Sequence, residues 1–344
     1  MATTKIQAAP QTAKRSFSAG SVISAIGRWI VRNRIYLIAF AIPAVLTYLA
    51  YALFGLYPFG EESVLCLDLN GQYVYYFEAL RDAFWGDGSI FYNWSRNLSG
   101  EFMGIIGYYL ASPFTLIVML LPEKFMLSSL LIMQLCKLGA AGATFNYFLQ
   151  KRRGVQPYPS LLFSTMYAMM AYGVIQLIDP MWLDGLVFLP LIMLGIEYLV
   201  DDGRRLNFII PLALMCVANF YIGYMICFFV ILYFLFYLCF GSDKKRKGYD
   251  YFTAFVRIAY SSIIALACAA FMLLPVYNAL KLGKFEFTDP DYSFRFQSFP
   301  LSKKLLENAQ DSPLLVFLCD LLDMFPQLLP AQYASVNVQA NTDI

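Results

Sequence analysis

The stretch LNFIIPLALMCVANFYIGYMICFFVILYFLFYLCF, residues 206–240, decides what kind of fold this chain can adopt. It carries no charged side chain over 35 residues. One continuous helix of that length would run about 50 Å, against a hydrocarbon core about 30 Å thick. The stretch is therefore too long for one simple span. Its polar break is Asn219-Phe-Tyr-Ile-Gly-Tyr224, so it reads as two short helices folded into a hairpin.

Working outward, the hairpin is bracketed by Asp201-Asp-Gly-Arg-Arg205 and the strongly basic Ser242-Asp-Lys-Lys-Arg-Lys247, both expected on the cytoplasmic side. Residues 185–200 form the preceding span and 254–278 the following one. Upstream, 158–177 runs outward, and a span at about 126–149 leads into Lys151-Arg-Arg153. The first span, about 35–54, follows a basic N-terminus, residues 1–34, which places that terminus in the cytoplasm. It is expected to be a retained helix, since its n-region is long and no small-residue cleavage site follows. Residues 104–121 contain Gly107 and Ser112-Pro113. A full crossing there would put Lys151–Arg153 outside, so this segment is expected to be interfacial or re-entrant.

These readings predict an all-α integral membrane protein of about seven to eight transmembrane helices, with a long first outer loop, 56–103, holding surface helices. The transmembrane domain is expected over 35–280. Residues 281–344 form an atypical, partly disordered tail outside the membrane or at its surface. Within it, 312–329 reads as an interfacial helix or as an eighth span, because Asp320 and Asp323 would be costly in mid-bilayer.

Composition agrees. The 344 residues are 60% hydrophobic and 14% charged, against roughly 25% charged in soluble domains. Histidine is absent, which removes His-based acid–base catalysis, Ser-His-Asp triads and His-containing metal sites. The seven cysteines form no Cys-x-x-Cys pair, so neither a disulfide framework nor a thiolate metal site is expected. Phosphate-binding and dinucleotide motifs are lacking, and the net charge of +2 gives no support to a nucleic-acid partner. Carboxylates remain as the acid–base candidates.

The outer loop holds seven acids and two bases. Residues 69–85 predict a surface helix whose apolar stripe is Tyr73, Tyr76, Phe77, Leu80 and Phe84. Asp68 falls at its N-cap. Asp68 has two readings: a catalytic base at the bilayer surface, or a helix cap. Gln72, one turn on, is a sugar or phosphate contact or a solvated position. Arg96 binds a lipid phosphate or offsets the acids around it. Asp179, Trp182 and Asp184 form a second cluster on the same side, where both acids can neighbour the first loop. Trp182 suits a sugar platform or an interfacial belt. Asn219, Tyr221 and Tyr224 are the third, where Asn219 satisfies a broken backbone or lines a cavity.

Asp68-Leu-Asn-Gly-Gln-Tyr73, Tyr108-Tyr-Leu-Ala-Ser-Pro-Phe114, Met181-Trp-Leu-Asp-Gly-Leu-Val-Phe-Leu-Pro190 with Gly195-Ile-Glu197, and Asn219-Phe-Tyr-Ile-Gly-Tyr-Met225 together resemble the bacterial YfhO family. The resemblance covers about 60–280. It implies a GT-C-like membrane glycosyltransferase that decorates cell-envelope polymers such as teichoic acids, or a lipid acceptor, from a polyprenyl-phosphate-linked sugar. It makes Asp68 the reaction-centre acid, with Tyr73 in the same block, and gives Asp184 a supporting role. A divalent cation is compatible with the acids but not required. The resemblance also implies a chain more than twice this length, so this one reads as shortened or truncated. Two other classes compete: a transporter or flippase of a lipid-linked saccharide, which would want ionisable residues inside the spans near Lys137 and Glu197, and an inactive membrane subunit.

Overall fold

The computed structural model describes residues 19–94, 100–241 and 248–283. Helix α1, Ala19–Leu53, is followed by a π-helical turn, Leu69–Tyr73, that runs into α2, Val74–Trp85. A two-residue strand pair, β1 (Tyr92–Asn93) with β2 (Gly100–Glu101), closes the first loop antiparallel. Then come α3 (Met103–Ile105) with a π-turn Ile106–Leu110, α4 (Thr115–Leu120), α5 (Met126–Arg152), α6 (Pro157–Ala168), α7 (Ala171–Ile175), α8 (Leu183–Asp202), α9 (Leu206–Ala218), α10 (Phe220–Phe236) and α11 (Gly248–Gly283). Residues 1–279 form one compact unit and 280–344 a second, of which only the end of α11 is described.

Among the described residues, five helical stretches are long and apolar enough to cross a bilayer: Ile26–Leu53, Glu123–Arg152, Pro180–Asp202, Phe220–Gly241 and Gly248–Lys281. The fold is thus all-α and multi-span. The expected spans differ in two places. The 158–177 stretch is broken at Met169 and Met170, the second of which is extended, into α6 and α7. The first helix begins at Ala19, inside the stretch assigned to a polar N-terminus; Arg28, Arg32 and Arg34 are accommodated because long basic side chains run along a helix and keep their charge in water. The segments 95–99, 242–247 and 312–329, with Arg96, the second basic cluster and the expected interfacial helix or eighth span, lie outside the described residues.

The hairpin over 206–240 is present. Asn219 is extended (φ −157°, ψ 111°) and separates α9 from α10. Gly223 lies against Cys216, whose Cα would be 3.0 Å from an added Cβ, so the two helices close tightly at the corner. At the other end of α9, a Cβ on Gly195 would strike the Asn207 carbonyl and Phe208. Without a hydrophobic drive between helices in lipid, such small-residue approaches supply the packing. Phe188, Ile192, Ile196 and Leu199 of α8 meet Phe208, Leu212 and Met215 of α9 and Ile226, Val230 and Phe234 of α10, with Ala265 and Ala269 of α11 against them.

Large apolar side chains such as Leu53, Ile231, Leu232 and Leu274 face outward, while Lys137, Asp184 and Glu197 of the spans are buried. Lys137 and Asp184 are 1% and 0% exposed and pair at 2.8 Å. At the basic end, Arg152 and Arg153 both hold Glu197, Arg152 also holds Asp201, and Tyr233 and Tyr237 complete the set. Inward charges are paired, as the cost of a lone charge in a bilayer requires.

Residues 104–121 are two short helical pieces broken over Ala111–Phe114. Ile106, Gly107 and Leu110 are buried. A Cβ on Gly107 would strike Val276 of α11. Irregular backbone is tolerated at membrane depth when protein covers it in this way.

Candidate functional site

The site is built on the first loop. Leu67 enters the helix with φ 47°, a left-handed conformation that an ordinary residue rarely adopts. Asp68 follows with helical angles and an exposed side chain that makes no capping bond. Its Oδ2 lies 3.3 Å from the Tyr73 hydroxyl instead. Tyr73 is buried and donates to Asp179 Oδ1 at 2.8 Å. Burial, then the bond to Asp179, then the Asp179 and Asp68 charges hold the Tyr73 phenol well above its ordinary value, so it stays protonated. The apolar stripe expected on this helix buries Tyr73, Phe77 and Leu80, while Phe84 is 63% exposed.

The helix is pinned by its far end. Arg81 donates to the carbonyls of Val118, Met119 and Leu121, and Trp85 Nε1 to Met119 at 3.0 Å. A cation there satisfies the carbonyls at the C-terminus of α4.

An aromatic floor joins the three sequence clusters. The Tyr73 and Tyr76 rings each lie 5.1 Å from Tyr109, which lies 4.5 Å from Tyr108. Tyr108 in turn meets Phe220 at 5.5 Å and Tyr221 at 5.9 Å. Trp182 packs into the same cluster. Its indole nitrogen is buried beside the Tyr108 hydroxyl. Asn219 is fully buried: its Oδ1 accepts from Ile222 N at 2.8 Å, capping α10, and its Nδ2 donates to the Tyr108 carbonyl at 2.8 Å. Of the two roles open to Asn219, its polar atoms take the backbone one.

Asp68, Tyr73, Trp182, Asn219 and Tyr221 are thus brought into one neighbourhood. Gln72 is exposed, one turn from Asp68. Asp184 is not open to that surface. It is enclosed, taking Ser112 Oγ at 2.8 Å on Oδ1 and Lys137 Nζ at 2.8 Å on Oδ2, while Lys137 also donates to the Pro180 carbonyl at 2.8 Å. Of the two acids placed near the first loop, Asp179 reaches it and Asp184 ties α8 to α5 and to the 104–121 break. Asp179 was expected to neighbour the first loop but was given no site role, and Tyr108 and Tyr109 were not singled out as site residues. Their signal was there: Asp179 lies three positions before Trp182 of the Trp-Leu-Asp block, and the tyrosine pair precedes Ser112-Pro113. Among the described residues, no three His, Cys, Asp or Glu side chains are grouped to hold a metal ion.

A family described as bacterial membrane protein YfhO matches residues 39–308. The uncharacterized protein YfhO of Bacillus subtilis (strain 168) is 27% identical over 168 residues, which cover 43% of this chain and 19% of that protein. The match therefore takes in about a fifth of the length of that relative. No solved structure matches.

Proposed function

Because this chain belongs to the YfhO family of bacterial membrane proteins, we propose that it takes part in sugar transfer at the outer face of the bacterial cell membrane, with its N-terminus in the cytoplasm. The donor is a polyprenyl-phosphate-linked sugar and the acceptor a hydroxyl of a cell-envelope glycopolymer or lipid. The observation that carries this reading is the exposed Asp68 carboxylate beside a buried Tyr73–Asp179 bond and an aromatic floor. Aromatic faces suit the apolar face of a sugar ring, and an open carboxylate suits an incoming hydroxyl.

In this mechanism Asp68 removes the acceptor proton as the acceptor oxygen attacks the anomeric carbon. The bond from that carbon to the phosphate oxygen breaks with inversion, and polyprenyl phosphate leaves with the electron pair. Tyr73 has one proton, held by Asp179 at the shorter distance. Asp68 therefore faces a phenolic lone pair, and gains a hydrogen bond to it on becoming protonated. Gln72, Tyr221 and Trp182 contact the sugar. Arg96 offsets charge on the leaving phosphate, and Asp184 supports the site from within the protein. The donor supplies its own leaving group, so no nucleotide site is needed.

The test is transfer of labelled sugar from a polyprenyl-phosphate donor to envelope acceptor, wild type against Asp68→Asn. Loss of about 10²–10⁴-fold with unchanged insertion is expected for a general base. Full activity in Asp68→Asn would remove Asp68 from the chemistry. Movement of the lipid-linked sugar across the bilayer without transfer would favour a transporter instead, the reading to which the buried Lys137–Asp184 pair lends its one support.

A further inference from the structure

At the basic end of the bundle, Tyr147 of α5, Leu191 and Leu194 of α8, and Leu206, Asn207, Ile210 and Pro211 of α9 line an open groove of about 260 Å³. Cations lie beside it. Lys151 Nζ lies 5.7 Å from the Tyr147 ring. The Tyr36 ring of α1 lies 5.5 Å from Tyr147, and the phenols of Tyr36, Tyr147 and Tyr198 interact. Arg204 stands 5.4 Å from the Tyr198 ring. Arg32, one turn before Tyr36 on α1, is exposed on the same flank.

Of the three neighbouring acids, Asp202 is exposed and the other two are held by arginines. Glu197 is held by Arg152 and Arg153, and Asp201 by Arg152 and Tyr237. Among the described residues, no ion pair holds Lys151 or Arg204. Two arginines at this end are thus neutralised, while Lys151 and Arg204 flank the apolar groove.

We propose that this groove seats an anionic phospholipid of the cytoplasmic leaflet, with an acyl chain along Leu191, Leu194, Ile210 and Pro211 and the phosphate between Lys151 and Arg204. The charge complementarity selects the headgroup. The apolar walls select a chain-bearing lipid over a free anion. The site is at the opposite end of the spans from Asp68 and does not depend on sugar transfer.

The experiment titrates the full chain in neutral detergent with phosphatidylglycerol, with phosphatidylcholine of the same chains, and with inorganic phosphate. It reads bound lipid by native mass spectrometry and the unfolding midpoint. Phosphatidylglycerol should bind and raise the midpoint more than phosphatidylcholine, and phosphate should do neither. A basic residue near an anionic surface contributes about 1 kcal/mol. Lys151→Gln and Arg204→Gln should therefore each weaken phosphatidylglycerol binding about fivefold, and together about 30-fold. Both residues are exposed, so these variants should fold as the wild type does. Leu191→Trp, which fills the groove, should abolish retention. Equal binding of both lipids, wild-type affinity in the double variant, lipid retention in Leu191→Trp, or equal stabilisation by phosphate would each overturn the proposal.

Discussion

Asp184→Asn should destabilise the protein severely, by about 3–5 kcal/mol, because it leaves an ammonium buried without its counter-charge. Lys137 Nζ is 1% exposed and has two partners, Asp184 Oδ2 and the Pro180 carbonyl, each at 2.8 Å. The asparagine keeps an acceptor for Ser112 and nearly the same volume, so neither cavity nor clash contributes. What is lost is the compensation of one charge in a dry interior. The loss corresponds to two to four decades in the folded-to-unfolded ratio, at about 1.36 kcal/mol per decade. The apolar double variant, Lys137→Met with Asp184→Leu, removes both charges and should return close to wild type. Reversible unfolding in mixed micelles, followed by far-ultraviolet circular dichroism, of wild type, Lys137→Met, Asp184→Leu and the double variant gives the four corners of the cycle, with Asp184→Asn measured beside them. Hydrogen exchange at residues 106–115 should rise in Asp184→Asn, since Ser112 ties that break to the pair. An Asp184→Asn variant within about 1 kcal/mol of wild type, or a double variant as unstable as the single ones, would refute this account.

Asn219→Ala should cost about 0.5–2 kcal/mol for the lost cap of α10 and a further 1–3 kcal/mol for the stranded Tyr108 carbonyl, with faster amide exchange at Ile222. Gly195→Val should cost at least about 1–3 kcal/mol by driving α9 off α8, whereas Gly71→Ala, with open space around it, should be nearly silent in the same unfolding assay. Burial, then the Glu123 and Asp82 charges, hold the Glu78 carboxyl above its ordinary value. A carboxyl raised in the folded state contributes stability below its unfolded pKa and loses it as pH rises through the folded one. Glu78→Gln should therefore flatten the fall in melting midpoint over that window. Parallel pH profiles for wild type and variant would count against it.

What the sequence made legible is what depends on one element at a time. An uncharged stretch longer than the bilayer, with one asparagine in it, has few ways to satisfy its backbone, and Asn219 satisfies the corner by capping one helix while its amide reaches Tyr108. The apolar stripe on 69–85 was equally readable, since helical spacing alone puts Tyr73, Phe77 and Leu80 on one buried face. The break at Met169 and Met170 carries no glycine, proline or charge to announce it. Partners far apart in the chain were also hidden. Tyr73 meets Asp179 across 106 positions and Lys137 meets Asp184 across 47. Two acids five residues apart, on either side of Trp182, end in opposite environments: Asp179 half-buried at the loop and Asp184 sealed inside. The turn at Pro180–Trp182 sends them there, because it ends the loop and starts α8, whose first turn faces Lys137 and Ser112. A buried lysine in mid-span demands a carboxylate. Lys137 could therefore have been asked for its partner from sequence alone, and the acid at the start of the next long span was the one within reach.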